Sequence, residues 1–129
     1  MICIVDDDNW ARSGLEDLLV SLGYETRTFE SAEQFVDSGA VHQATCLITD
    51  LHMPGLNGLE LQSVLRREGH LIPIIFVTAY PNETHRARAF QEGAFCFLTK
   101  PYDEESLVDC LTRANSGGGR GSGPPSRPS

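Results

Sequence analysis

Three aspartates in succession, Asp6, Asp7 and Asp8, follow an apolar run at residues 2–5, and a single one, Asp50, follows another at 46–49. Thr78 closes a third run at 74–77, and Lys100 stands just beyond a fourth at 95–98. Carboxylates crowded together repel one another and hold their protons unless a cation neutralises them. Oxygen-only ligation suits a hard cation, and a few carboxylates with positions left for water suit Mg2+ better than Ca2+. A metal-held carboxylate, an ammonium and a hydroxyl converging on one point would receive a tetrahedral oxyanion. The cation and Lys100 would offset oxygen charge during in-line phosphoryl transfer, Thr78 would donate a hydrogen bond, and an aspartate would attack to form an acyl phosphate.

Taken singly, each piece has a plainer reading. An aspartate after a strand is usually a turn or cap residue, a run of three is usually a solvated loop, and Lys-Pro is a common loop dipeptide. Their joint placement decides the matter, and that depends on the elements that carry them.

Five short apolar runs recur along the chain, at residues 2–5, 26–29, 46–49, 74–77 and 95–98, with helical patterns between them. Residues 10–22 place Leu15, Leu18, Leu19 and Leu22 at three-and-four spacing, and Gly23 supplies the stop. Ser31 with Gln34 reads as a capping box opening a short helix over 32–37. Leu59, Leu61, Val64 and Leu65 mark a third helix ending near Gly69. Asn82 can cap a fourth that Gly93 closes, and Asp103 a fifth whose apolar face is Leu107, Val108 and Leu111. Strand-helix alternation repeated five times implies an α/β fold: a doubly wound parallel sheet with helices on both faces, a three-layer sandwich. In such sheets ligands bind outside the carboxyl ends of the strands, which is where the aspartates, Thr78 and Lys100 fall.

At 129 residues the chain fits one domain with a sizeable core. The net charge of −8 argues against a nucleic-acid surface and agrees with carboxylates gathered around a cation. Lys100 is the sole lysine, every other basic residue being arginine. Cys3, Cys46, Cys96 and Cys110 lack zinc-site spacing. The first three lie in apolar runs, where free cysteine acts as a small hydrophobe, so a reducing, cytoplasmic location is expected. No stretch of 18 apolar residues suggests a membrane span. From residue 116 the composition turns to Gly, Ser, Pro and Arg, which reads as a flexible tail or linker, leaving residues 1–115 as the domain.

The motifs "IVDDDNW", "CLITDLHMPGLNGLEL", "PIIFVTAY" and "GAFCFLTKPYD" together closely resemble the receiver domain of bacterial two-component response regulators. The resemblance runs from about residue 2 to residue 114. Each motif alone is weak, but all four in order are specific. The resemblance implies the flavodoxin-like strand order 2-1-3-4-5. It implies Asp50 as phosphoacceptor, and Mg2+ (or Mn2+ in its place) held by Asp7, Asp50, the backbone carbonyl of His52 and, through water, Asp6. Thr78 would bond a phosphoryl oxygen, Lys100 would pair with the phosphoryl group or Asp50, and Pro101 would follow a cis bond. Phe97 stands at the family's aromatic switch position, so phosphorylation would alter the surface of the fourth helix, fifth strand and fifth helix. The donor would be a histidine kinase or histidine phosphotransfer protein. A homodimer through that surface, and no membrane or direct nucleic-acid contact, complete the expectation.

His52 and Tyr80 stand where relatives control water access to the acyl phosphate, and a plain loop role weighs equally for both. Trp10, Arg12 and Ser13 fall near the site. Trp10 is expected to cover the start of the first helix rather than anchor a partner. His85, Arg86 and Arg88 read first as a solvated face and second as a dimer or partner contact. Two other functions compete. Asp6-Asp7-Asp8 offers a superficial D-x-D, as in haloacid-dehalogenase-type phosphatases with Asp6 as nucleophile, but no cap segment is evident and Asp50 would lack a purpose. An FMN-binding flavodoxin would need a Ser/Thr-rich loop where three aspartates stand.

Overall fold

The computed structural model describes residues 1–116. The expected tail at 116–129 lies outside the described residues, apart from Ser116, which ends the last helix. The elements alternate as β1 (Ile2–Val5), α1 (Asn9–Ser21), β2 (Thr26–Phe29), α2 (Ala32–Ser38), a 3-10 turn (Ala40–His42), β3 (Cys46–Asp50), α3 (Gly58–Arg67), β4 (Ile74–Thr78), α4 (Glu83–Gln91), β5 (Cys96–Thr99) and α5 (Glu104–Ser116). All strand pairs are parallel and the order is β2-β1-β3-β4-β5, as the resemblance implies.

Alternation along the strands feeds two cores. On one face Cys3, Val5, Leu47 and Phe76 pack with Phe35, Leu61 and Leu65. On the other, Ile2, Ile4, Ile48 and Ile75 pack with Leu15, Leu19, Leu107 and Leu111. Strands β1, β3 and β4 are buried throughout, because each is paired on both edges and covered on both faces. Each large side chain held there contributes roughly 1.5–3 kcal/mol relative to exposure. The carboxyl ends of these strands are therefore the least movable platform in the molecule.

The connection after β3 is fixed with similar care. Gly55 adopts a φ of +74°, and Glu33 of α2 accepts the Leu56 amide at 2.8 Å. Asn57 caps α3 in a true capping box, exchanging hydrogen bonds with Glu60 at 2.9 Å in each direction. A Cβ on Gly58 would lie 2.5 Å from the Asp50 carbonyl oxygen and 3.0 Å from the Leu51 Cα, so only glycine lets α3 start so close to β3.

Three expectations are corrected. Ser31 does cap α2 through the Gln34 amide, but the Gln34 side chain returns to the Glu30 amide, one residue short of a capping box. Leu22 is not part of the apolar face of α1. It forms the C-cap and is 45% exposed, because the chain has already begun its turn at Gly23. Cys96 is not a free thiol: a disulfide joins it to Cys110, because strand alternation points residue 96 at the buried face of α5. Cys3 and Cys46 are free and buried as expected. Among the described residues no helix is long and apolar enough to cross a membrane.

Candidate functional site

Asp50 is the last residue of β3 and only 8% exposed. Its Oδ1 accepts the His52 amide at 3.3 Å and its Oδ2 faces Lys100 Nζ at 3.5 Å. The same ammonium lies 2.9 Å from Asp6 Oδ2, while Asp6 Oδ1 accepts the Asp8 amide at 2.9 Å. Asp6 is 3% exposed, and Arg12 Nη1 donates to its backbone carbonyl at 2.7 Å. Asp7 is exposed, yet one oxygen each from Asp6, Asp7 and Asp50 lie within 4.8 Å of one another. Asp8 does not join them: its carboxylate caps α1 by accepting the Trp10 and Ala11 amides.

The electrostatics follow from this packing. Burial pushes the Asp50 carboxyl above the ordinary range, Lys100 pulls it down, and the neighbouring Asp6 charge pushes it up again. Burial alone would lower the Lys100 ammonium, but hydrogen bonding to Asp6 and the two carboxylate charges hold it above its usual value. One cation thus serves two buried acids, with a third acid at the rim. This all-oxygen donor set, rich in negative charge and with one exposed member, fits a hard divalent cation. Asp6, Asp7 and Asp50 could hold it.

Thr78 ends β4, fully buried, one residue past Val77, the β4 partner of Asp50. Its hydroxyl accepts the Tyr80 amide at 3.1 Å, and its carbonyl accepts the Lys100 amide at 2.7 Å. That second bond ties the end of β5 to β4 and places Lys100 over the acids. The Lys100–Pro101 bond is cis, as expected. Phe97 is half-buried, with its ring centroid 6.2 Å from that of Phe76.

Two surface expectations are corrected. Trp10 covers nothing: it is 88% exposed, since Asp8 already satisfies the amides at the start of α1. His85 does not lie on a solvated face. It is half-buried, its ring centroid 5.6 Å from that of His52, with its Nδ1 buried and without a hydrogen-bond partner among the described residues. His52 Nε2 in turn meets the Tyr80 carbonyl at 3.3 Å, so His52, Tyr80 and His85 form one lip of the site. Asp6 as a nucleophile is not favoured, because it is more buried than Asp50, 3% exposed against 8%, and is held closer by Lys100, at 2.9 Å against 3.5 Å.

Sequence reasoning missed Glu33, Asn57 and Gln62. Gln62 is fully buried on α3, where its side chain donates to the Ala89 carbonyl of α4 at 3.0 Å. Asn57 with Glu60 carried a legible capping signal. Glu33 and Gln62 act on residues 23 and 27 positions away, and local pattern holds no trace of that.

Comparison with known proteins agrees with this fold. The family model described as the response regulator receiver domain matches residues 2–112. Among curated proteins, the chain is 39% identical over 113 residues to the transcriptional regulatory protein TdiR of Thauera aromatica, covering 88% of this chain and 50% of TdiR. It is 36% identical over 114 residues to the response regulator protein TodT of Pseudomonas putida, covering 88% and 50%. The chain spans about half the length of the curated relatives it matches. Among solved structures, response regulator StyR superimposes with a TM-score of 0.82 at 40% identity, covering 88% of this chain and 57% of that one. FixJ-N gives 0.80 at 29%, covering 88% and 91%.

Proposed function

This chain belongs to the response regulator receiver domain family of two-component systems, and on that premise we propose that Asp50 accepts a phosphoryl group from a phosphohistidine on a sensor kinase or phosphotransfer protein. Receiver domains are switches rather than conventional enzymes. The observation that carries the reading is the placement of Lys100 Nζ 3.5 Å from Asp50 and 2.9 Å from Asp6, with the acidic trio within 4.8 Å.

In the proposed step one Asp50 oxygen attacks phosphorus as the phosphorus–nitrogen bond breaks, and the imidazole leaves with a proton. Asp50 is held in line by the His52 amide on Oδ1. Lys100 pairs with the incoming phosphoryl oxygens, and Thr78 gives up its contact with the Tyr80 amide to donate to one of them. Mg2+, or Mn2+ in its place, would be held by Asp7, Asp50 and the His52 carbonyl, with Asp6 acting through water. When bound, it offsets negative charge on the phosphoryl oxygens. Movement of Thr78 leaves room beside Phe97, and the α4–β5–α5 surface shifts between two packings.

Residues 1–115 form this receiver, and the following segment is a linker or tail. TdiR is a transcriptional regulatory protein of about twice the matched length, which supports control of an output by this domain; the α4–β5–α5 surface would carry its protein contacts, homodimerisation among them. The net charge of −8 supports a domain that acts without direct nucleic-acid contact. The exposed Trp10 on α1 supplies an apolar contact for the donor protein.

Acetyl phosphate with Mg2+ tests the reading by intact mass. One phosphoryl group should appear on the wild type, and none on Asp50→Asn or in excess EDTA. Full phosphorylation of Asp50→Asn would overturn it.

A further inference from the structure

The four cysteines form two groups: all four are buried, but only Cys96 and Cys110 lie beside a cation and a surface cleft. Cys3 and Cys46 lie on the central strands β1 and β3, where burial pushes their thiols up to about 11 and about 12. Cys96 on the edge strand β5 and Cys110 on α5 are bonded to each other, with Cα atoms 6.5 Å apart, inside the ordinary range for a cystine. Both line an open cleft of about 330 Å3 between α4, β5 and α5, together with Phe90, Ser106 and Asp109. One turn beyond Cys110, Arg113 Nη2 approaches the Cys96 sulfur at 3.7 Å and the Cys110 sulfur at 3.9 Å. Asp109 holds that arm at 3.0 Å, and the guanidinium lies over the Phe95 ring, 5.5 Å from its centroid. A cation so placed offsets the charge that gathers on sulfur when a thiolate attacks or leaves.

The position of the bond matters as much as its surroundings. It closes a loop of the chain that contains Lys100 and Pro101. Cys96 immediately precedes Phe97, and alternation puts the cystine on the α5 side of β5 while Phe97 packs on the other. Strand β5 is otherwise paired along one edge only.

We propose that Cys96 and Cys110 form a reversible thiol–disulfide switch, exchanging with a low-molecular-weight thiol and its disulfide, that locks β5 to α5 and damps the response of the α4–β5–α5 surface. The damping rests on the phosphoacceptor reading above; the redox exchange does not. In the oxidising direction one cysteine thiolate attacks the external disulfide, breaking its sulfur–sulfur bond and releasing one thiol. The second thiolate attacks the resulting mixed disulfide and releases the other. Two electrons pass from the cysteine pair to the external disulfide, and the two cysteine protons end on the released thiols. Reduction runs the same steps in reverse.

The full chain, equilibrated in glutathione buffers from reduced to oxidised, tests this with two readouts. Intact mass should show reversible loss of two hydrogens in the wild type and none in Cys110→Ser, with Cys110→Ala as a second variant should the serine disturb the helix. The oxidised form should melt about 10 °C higher. Amide hydrogen exchange is then followed with and without Mg2+ and beryllofluoride, a phosphoryl mimic. The change across β5 and α5 should be about fivefold larger in the reduced form. A pair that stays reduced throughout the series overturns the switch. Equal beryllofluoride responses in both forms overturn the lock while leaving the phosphoacceptor reading intact, and no response in either form overturns both.

Discussion

Helices α3 and α4 flank the same side of the sheet, yet they are held very differently. Helix α3 buries Gly58, Leu59, Leu61, Gln62 and Leu65, starts in a capping box, and begins within van der Waals reach of Asp50. Helix α4 buries only Ala89, and α3 reaches it through the Gln62 bond and reaches the turn after it through the longer Arg66 contacts to the Glu92 and Gly93 carbonyls, each 3.3 Å. The strands repeat the contrast: β3 is buried at every residue, whereas β5 is buried only at Cys96. The carboxylate proposed to react therefore stands on the part of the molecule least able to move. Its charge partner Lys100 and the aromatic Phe97 belong to the part most able to do so. A switch needs both properties, and the Lys100–Asp50 contact is where they meet.

The largest expected difference between the regions is in stability. Phe76→Ala, in the centre of β4, should cost about 3–5 kcal/mol by urea denaturation, whereas Phe90→Ala on α4, 40% exposed, should cost about 1 kcal/mol or less. Similar losses at both positions would break the contrast. Next comes Lys100→Met, which removes the one cation between two carboxylates. Allowing for the partial exposure of this pair, the loss should be about 1–3 kcal/mol at pH 7. It should shrink as pH falls through the raised pKa of Asp50, because the protonated acid no longer needs the ammonium. A loss independent of pH would mean that Lys100 acts through packing.

Asp50→Asn should have a smaller effect of opposite sign. Burial raises the folded-state pKa of Asp50, so between the ordinary carboxylate value and that raised value the folded protein retains a proton the unfolded chain has shed. Stability accordingly falls as pH rises through that window, and above it the folded state carries the cost of the ionised acid. The asparagine variant should be more stable than the wild type at pH 7. Millimolar Mg2+ should stabilise the wild type and narrow the gap; thermal melts with and without EDTA read both effects. The smallest effect is expected at Trp10. Its replacement by alanine should leave stability within about 0.5 kcal/mol, while weakening phosphotransfer from a protein donor but not from acetyl phosphate.

Much of this contrast was legible in the sequence, and the part that was not has a common cause. Unbroken apolar runs announced β1, β3 and β4, whose burial on both faces leaves no polar alternation to misread. The strand ends moved by one residue at most, because Asp50 and Thr78 continue the ladder that their apolar predecessors begin. The acids were legible because they stand directly after such runs, and Lys100 because it stands two residues beyond the run at 95–98. What escaped was every feature fixed by contact between distant elements. Glu33 bracing the turn after β3, Gln62 reaching α4, His85 turned in beside His52, and Cys96 joined to Cys110 all depend on which helix lies beside which. Trp10 erred the other way: hydrophobicity suggested cover, but the amides at that helix start were already satisfied by Asp8.

The central claim is that Asp50, and no other acid of the cluster, forms the acyl phosphate. Reducing the acetyl-phosphate-treated protein with borohydride converts an aspartyl phosphate to homoserine, which peptide mass spectrometry locates to a single residue. The account predicts homoserine at position 50 alone, dependent on Mg2+. Homoserine at Asp6 or Asp7 would contradict it.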